Sequence, residues 1–234
     1  MEELIYSDGD VNMKGKVFYP KTSEKCPAVL VGHDWSGCNE FAHSIAKDLA
    51  NKGYIGIALD MYGEGKIGTT KEEKAALMTP LKEDRGLLRN RLLAAVEKLN
   101  SLEKYDGNNF AAIGFCFGGL CALDLARSGA KAKGVVSFHG LLGPTGLPQQ
   151  KISSEVLVLH GYEDPMVPPE EILSFQQEMK ECEAEFEFIS YSKTVHAFTN
   201  PAANDPDFGT VYREKIAKKA WQRCYSFLEE AFTP

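Results

Sequence analysis

Six apolar runs of strand length recur along the chain, and segments of helical period lie between them. They are PAVLVG (27–32), YIGIALD (54–60), NFAAIGF (109–115), KGVVSFHG (133–140), EVLVLHG (155–161) and EFEFISYS (185–192). Most are apolar on both faces, the pattern of strands covered on two sides. In the segment 39–52, Phe41, Ile45 and Leu49 share one helical face, with Asn39 placed as N-cap and Gly53 as the stop. Leu87, Leu88, Leu92, Val96 and Leu99 form a second stripe. Strand and helix therefore alternate, which predicts an α/β fold: a doubly wound, mainly parallel sheet with helices on both faces. No Pro/Gly/Ser linker, internal repeat or low-complexity tract interrupts the pattern, so one domain is expected over residues 1–234.

Composition removes several function classes. Apolar and charged fractions of 44% and 25% belong to a folded globular chain rather than a disordered or coiled-coil one. The net charge of −7, from 33 acidic against 26 basic residues, gives no electrostatic reason to expect a polyanionic partner, so nucleic acid is not an expected partner. The opening MEELIYSDGD lacks the basic-then-apolar pattern of a leader, and no apolar run approaches a membrane span, which predicts a cytoplasmic protein without a membrane partner. Six cysteines without a CxxC pair are read as reduced thiols. The five histidines fit no metal spacing, so neither a metal nor another cofactor is expected. Long irregular pieces at 61–73, 141–150 and 200–209 follow strands or candidate site residues, where loops commonly line binding sites.

The chemistry centres on AAIGFCFGGLCAL (111–123). Cys116 stands between an apolar run ending at Phe115 and a helical pattern beginning near Phe117, the strand, sharp turn and helix of a nucleophile elbow. Such a turn crowds the backbone, so the residues two positions either side must be nearly without side chains; Gly114 and Gly118 meet that demand. The bend also sets the thiol at a helix N-terminus, where the dipole favours a thiolate. The competing reading is a buried cysteine in a glycine-rich bend.

Two later stretches favour the elbow. VLHGYEDPMVP places Asp164 just past a strand, at the end of a doubly wound sheet that carries sites, and YSKTVHAFTNP places His196 just past another. Alone, each reads equally as a turn aspartate or a loop histidine. Together they give the order Cys116, Asp164, His196, which is the nucleophile, acid, histidine order of an α/β-hydrolase. Two backbone N–H groups should hold the oxyanion: Phe117, next to the nucleophile, and Trp35, in the loop VGHDWSGCNEF (31–41) after an early strand. His33, Tyr62, Phe198 and Asn200 complete the expected substrate pocket.

From PAVLVGHDWSG through IALDMYG, IGFCFGG and HGYEDPMVP to VHAFTNP, nearly the whole chain resembles the dienelactone hydrolase family of α/β-hydrolases, which carry a cysteine in a GxCxG elbow. The resemblance implies a cysteine-dependent hydrolase of small carboxylic esters or lactones, acting through a Cys116–His196–Asp164 triad and a thioester. It also implies that Asp34, at the position of the family's activating glutamate, takes part in activating the thiol. The family's substrate-binding arginine four residues after the histidine is here Asn200, and 70–82 offers Lys71, Lys74 and Lys82 but no arginine. The hydrolase chemistry is therefore better supported than a dienelactone substrate. Class I glutamine amidotransferases also carry GxCxG, but they place a glutamate two residues after the histidine, where this chain has Phe198. The alternative outside catalysis is a silent binding or scaffold protein on the same fold.

Overall fold

Runs of consecutive apolar residues form central strands because layers cover both their faces. The structure, a computed structural model, describes residues 1–233. It opens with a hairpin of β1 (Glu2–Asp8) and β2 (Val11–Phe18), followed by β3 (Cys26–Gly32), α1 (Glu40–Asn51), β4 (Ile55–Ala58), α2 (Lys71–Glu83) and α3 (Arg85–Leu99). Then come β5 (Tyr105–Phe115), α4 (Phe117–Arg127), β6 (Gly134–Phe138), β7 (Glu155–Gly161), α5 (Pro169–Glu181) and β8 (Phe186–Tyr191). A small pair, β9 (Asn204–Asp205) and β10 (Thr210–Val211), precedes the closing helix α6 (Glu214–Phe232).

Eight strands make one sheet in the order β1-β2-β4-β3-β5-β6-β7-β8, parallel from β4 to β8 with two antiparallel pairings at the β1 edge. One face buries Ile45 and Leu49 of α1 with Phe227 and Leu228 of α6; the other buries Leu88 and Leu92 of α3, Leu120 of α4 and Phe175 of α5. This is the α/β-hydrolase arrangement that the alternation predicts. Asn39 caps α1 by accepting from the Phe41 N–H at 3.0 Å, and Gly53 takes the stop at φ +98°. All six predicted strands form. The β1–β2 hairpin is additional: it buries only alternate residues, Leu4, Tyr6, Met13 and Val17, and so lacks the continuous apolar signal of a central strand.

The close approach of β3 to α4 is possible only with glycine. A Cβ on Gly118 would lie 2.1 Å from the Gly32 carbonyl oxygen and 2.6 Å from that of His33, and one on Gly114 would lie 1.8 Å from the Gly118 oxygen. Gly118→Ala is accordingly expected to cost about 3 kcal/mol by overpacking. A urea-unfolding midpoint equal to that of the parent chain would show that the elbow can relax around the extra methyl.

Candidate active site

Cys116 ends β5 and opens α4 with φ +56° and ψ −115°, a conformation that costs a non-glycine residue of order 1–3 kcal/mol. The turn is held from both sides. The Cys116 N–H donates to the Phe138 carbonyl at 3.1 Å, and the Cys116 carbonyl accepts from Gly119 and Leu120. The sulfur stands half-buried at the floor of a cavity of about 700 Å³.

Asp164 lies in the loop after β7 and His196 in the loop after β8. Asp164 Oδ2 is 2.7 Å from His196 Nδ1, while its Oδ1 accepts from the Met166 N–H at 2.9 Å. Both side chains are almost completely shielded from solvent. His196 Nε2 is buried and makes no hydrogen bond of good geometry to the protein. Burial opposes charging this imidazole, but the adjacent Cys116 sulfur and the Asp164 carboxylate outweigh it and push His196 up to about 10.

His196 is also tied to the chain that follows it. Its N–H donates to the Gly209 carbonyl, and its carbonyl accepts from Val211 on β10. Around the cavity mouth Phe208 stacks on Trp35 with centroids 5.6 Å apart and planes 15° apart, and Lys71 bridges to Asp205 at 2.8 Å. Lys74 lies over the Trp35 ring at 5.5 Å, and Lys82 joins the same wall. The cations noted between 70 and 82 thus reach the Cys116 cavity, one of them neutralised by a carboxylate.

The N–H groups of Trp35 and Phe117 donate to no protein acceptor among the described residues. Trp35 belongs to the same cavity wall as Cys116, whereas Phe117 is wholly buried at the start of α4. Asp34 also lines the cavity, with Oδ1 accepting from the Ser36 N–H at 2.7 Å. That bond commits one carboxylate oxygen to a turn rather than to the thiol.

Of the four residues expected in the pocket, only Asn200 lines it. His33 and Tyr62 lie behind the wall, packed ring to ring at 4.7 Å because both rings are engaged in hydrogen bonds to the backbone. Phe198 is fully buried against His139 and Tyr191, because the turn that follows His196 directs it into the core. Of the loop 141–150, only Leu141 reaches the cavity; Leu142 and residues 144–150 border a separate space of about 500 Å³ beside α5. His139, absent from the sequence reading, packs edge-on to His196 at 5.1 Å and pairs through Nε2 with the Thr199 hydroxyl at 2.8 Å. Its place at the end of β6 is the signal that could have found it. Burial, helped by His196, pushes it well below the usual histidine range, so it stands there as a neutral ring.

Among the described residues no helix is long and apolar enough to cross a membrane. Comparison with known proteins points one way. The sequence model of the dienelactone hydrolase family matches residues 13–232. An uncharacterized protein of Caenorhabditis elegans is 39% identical over 153 residues, covering 63% of this chain and 96% of that protein. A Salmonella typhimurium protein named "Putative carboxymethylenebutenolidase" is 27% identical over 239 aligned residues, covering 97% of this chain and 85% of its own. Among solved structures, a dienelactone hydrolase-like promiscuous phosphotriesterase from metagenomic libraries superposes with a TM-score of 0.92 at 30% identity, covering 99% of this chain and 98% of that one.

Proposed function

The chain belongs to the dienelactone hydrolase family, a hydrolase family of esters and lactones, and from that premise we propose that Cys116 is its nucleophile, with His196 and Asp164 completing a triad. The observation that carries the reading is the 2.7 Å contact between Asp164 and the far nitrogen of a histidine whose near nitrogen is left without a partner beside Cys116. In the first step the Cys116 sulfur attacks the ester or lactone carbonyl carbon, the thiol proton already standing on His196 Nε2, whose imidazole the sulfur and the Asp164 carboxylate keep charged at neutral pH. A C–S bond forms and the carbonyl electron pair moves to oxygen, where the N–H groups of Trp35 and Phe117 receive it. Collapse expels the alcohol oxygen, which takes the proton from His196. Water, losing a proton to His196, then attacks the thioester and releases the carboxylic acid and the thiol. Asp164 holds the imidazole with its proton on Nδ1 throughout. Asp34 acts on this cycle through the shape of the Asp34–Ser36 turn.

The test is a panel of neutral aryl acetates, a carboxylated lactone and a phosphotriester, the last because a 30% identical structure is a promiscuous phosphotriesterase. Turnover is followed while iodoacetamide is added at pH 7. The other five cysteines are buried, and burial raises every one of their thiols, Cys38 to about 12. Cys116 should therefore alkylate about tenfold faster than any of them or more. Peptide mapping reads the modification, and turnover should fall in step with it. Full carboxamidomethylation of Cys116 with turnover intact would sink the assignment.

A further inference from the structure

We infer that His33 is a positioning residue for the oxyanion site: neutral, with its proton on Nδ1, it locks the Asp34–Trp35 peptide so that the Trp35 N–H is turned toward the substrate carbonyl oxygen. The inference rests on the reading that Cys116 attacks a carbonyl in this cavity, and it assigns a role to a residue that touches neither thiol nor substrate.

The tautomer follows from the partners. The Met61 N–H points at His33 Nε2 from 3.2 Å. A backbone N–H can only donate, so Nε2 must offer its lone pair, and the proton of the neutral ring sits on Nδ1. Nδ1 lies 2.5 Å from the Asp34 carbonyl oxygen and therefore donates to it. In a trans peptide the C=O and the following N–H point in opposite directions. Fixing the Asp34 oxygen toward His33 thus directs the Trp35 N–H away from the packed side, and that N–H is one of the two left without a protein acceptor. The same carbonyl also receives the Gly37 N–H at 3.3 Å, a longer contact that closes the turn.

The ring is well placed to hold that peptide still. His33 is 1% exposed and packs against Tyr62 and Phe117, with centroids 4.7 and 6.0 Å away. The Tyr62 hydroxyl donates to the Trp35 carbonyl at 2.9 Å, so the peptides on both sides of the Trp35 Cα are tied by their oxygens. Met61 and Tyr62 are themselves anchored, because buried Asp60 accepts the N–H groups of Lys14, Tyr62, Gly63 and Gly65. Burial lowers His33, in keeping with a ring that stays neutral where a second proton on Nε2 would face the Met61 N–H. Catalytic donors of this kind act through being fixed before the charge develops.

The experiment compares His33→Phe, which keeps the ring shape without its hydrogen bonds, with His33→Gln, whose amide can both donate to Asp34 and accept from Met61. For a neutral aryl acetate, H33F should lower kcat about a hundredfold and change KM by less than about threefold. Its Cys116 should still alkylate with iodoacetamide at close to the parent rate, because displacement at a saturated carbon develops no oxyanion. H33Q should recover about tenfold or more of the lost kcat. Retention of kcat in H33F, a glutamine variant no better than phenylalanine, or alkylation falling in parallel with kcat would each overturn the role. Nitrogen NMR of the parent chain reads the tautomer without any variant, and a proton on Nε2 of His33 would equally overturn it. Failure of the nucleophile reading looks different: the parent enzyme would then keep its turnover after Cys116 is alkylated.

Discussion

Alanine in place of Cys116 is expected to reduce ester turnover by about four to six orders of magnitude. Nothing else in the cavity offers a comparable nucleophile: Cys121 and Cys38 are buried and their thiols raised by burial, and the lysines of the wall belong to its mouth. The fold should tolerate the change. Alanine and cysteine bear similar strain at φ +56°, and the hydrogen bonds that hold the turn use only backbone atoms. The measurement is kcat beside the urea midpoint, and an active C116A enzyme would refute the assignment. The variant carries a second readout. Since the Cys116 sulfur is among the causes that hold His196 near 10, its removal should bring the imidazole down, because burial then opposes charging with only Asp164 against it. An NMR titration that finds His196 unmoved would show that sulfur and ring do not interact. Cys116→Ser at full activity would show that the hydroxyl suffices.

Asp164→Asn is expected to cost about 10⁴ in kcat with little loss of stability. The amide oxygen can keep the Met166 N–H, which leaves the amide nitrogen facing His196 Nδ1. Two donors cannot share that contact, so the imidazole proton shifts to Nε2, and the nitrogen that should accept the thiol proton is then blocked. Binding of substrate should change far less than turnover, because Asp164 reaches the cavity only through His196. A loss of less than about tenfold would mean that something other than Asp164 orients the ring.

Much of this architecture is legible in the sequence because the central strands are apolar on both faces and because GFCFGG is crowded for a steric reason. The six strands, the capped α1 and the spacing of Cys116, Asp164 and His196 along the chain all follow from local pattern. The residues that pattern misjudges are those whose partners are distant. His33 and Tyr62 sit close in space to the expected site, but only the backbone directions of Asp34, Trp35 and Met61 show that their rings face rearward. Phe198, two residues from His196, turns the other way into the core. The β1–β2 hairpin buries one residue in two, and the two-residue strands β9 and β10 lie in a polar stretch with no periodicity to read.

The stitching of His196 to Gly209 and Val211 joins two tasks in one piece of backbone. Phe208 and Asp205, which line the cavity, lie within fifteen residues of the proposed base and are tied to it through Gly209 and the β9–β10 pair. Selectivity and proton transfer consequently cannot be retuned separately there. A substitution that widens the mouth at Phe208 is expected also to loosen the floor on which the imidazole stands, whereas Lys82 on α2 lines the cavity without a bond to the His196 segment. The substrate range of this chain should thus be easier to alter at Lys82 than in the segment after His196, which carries a second duty.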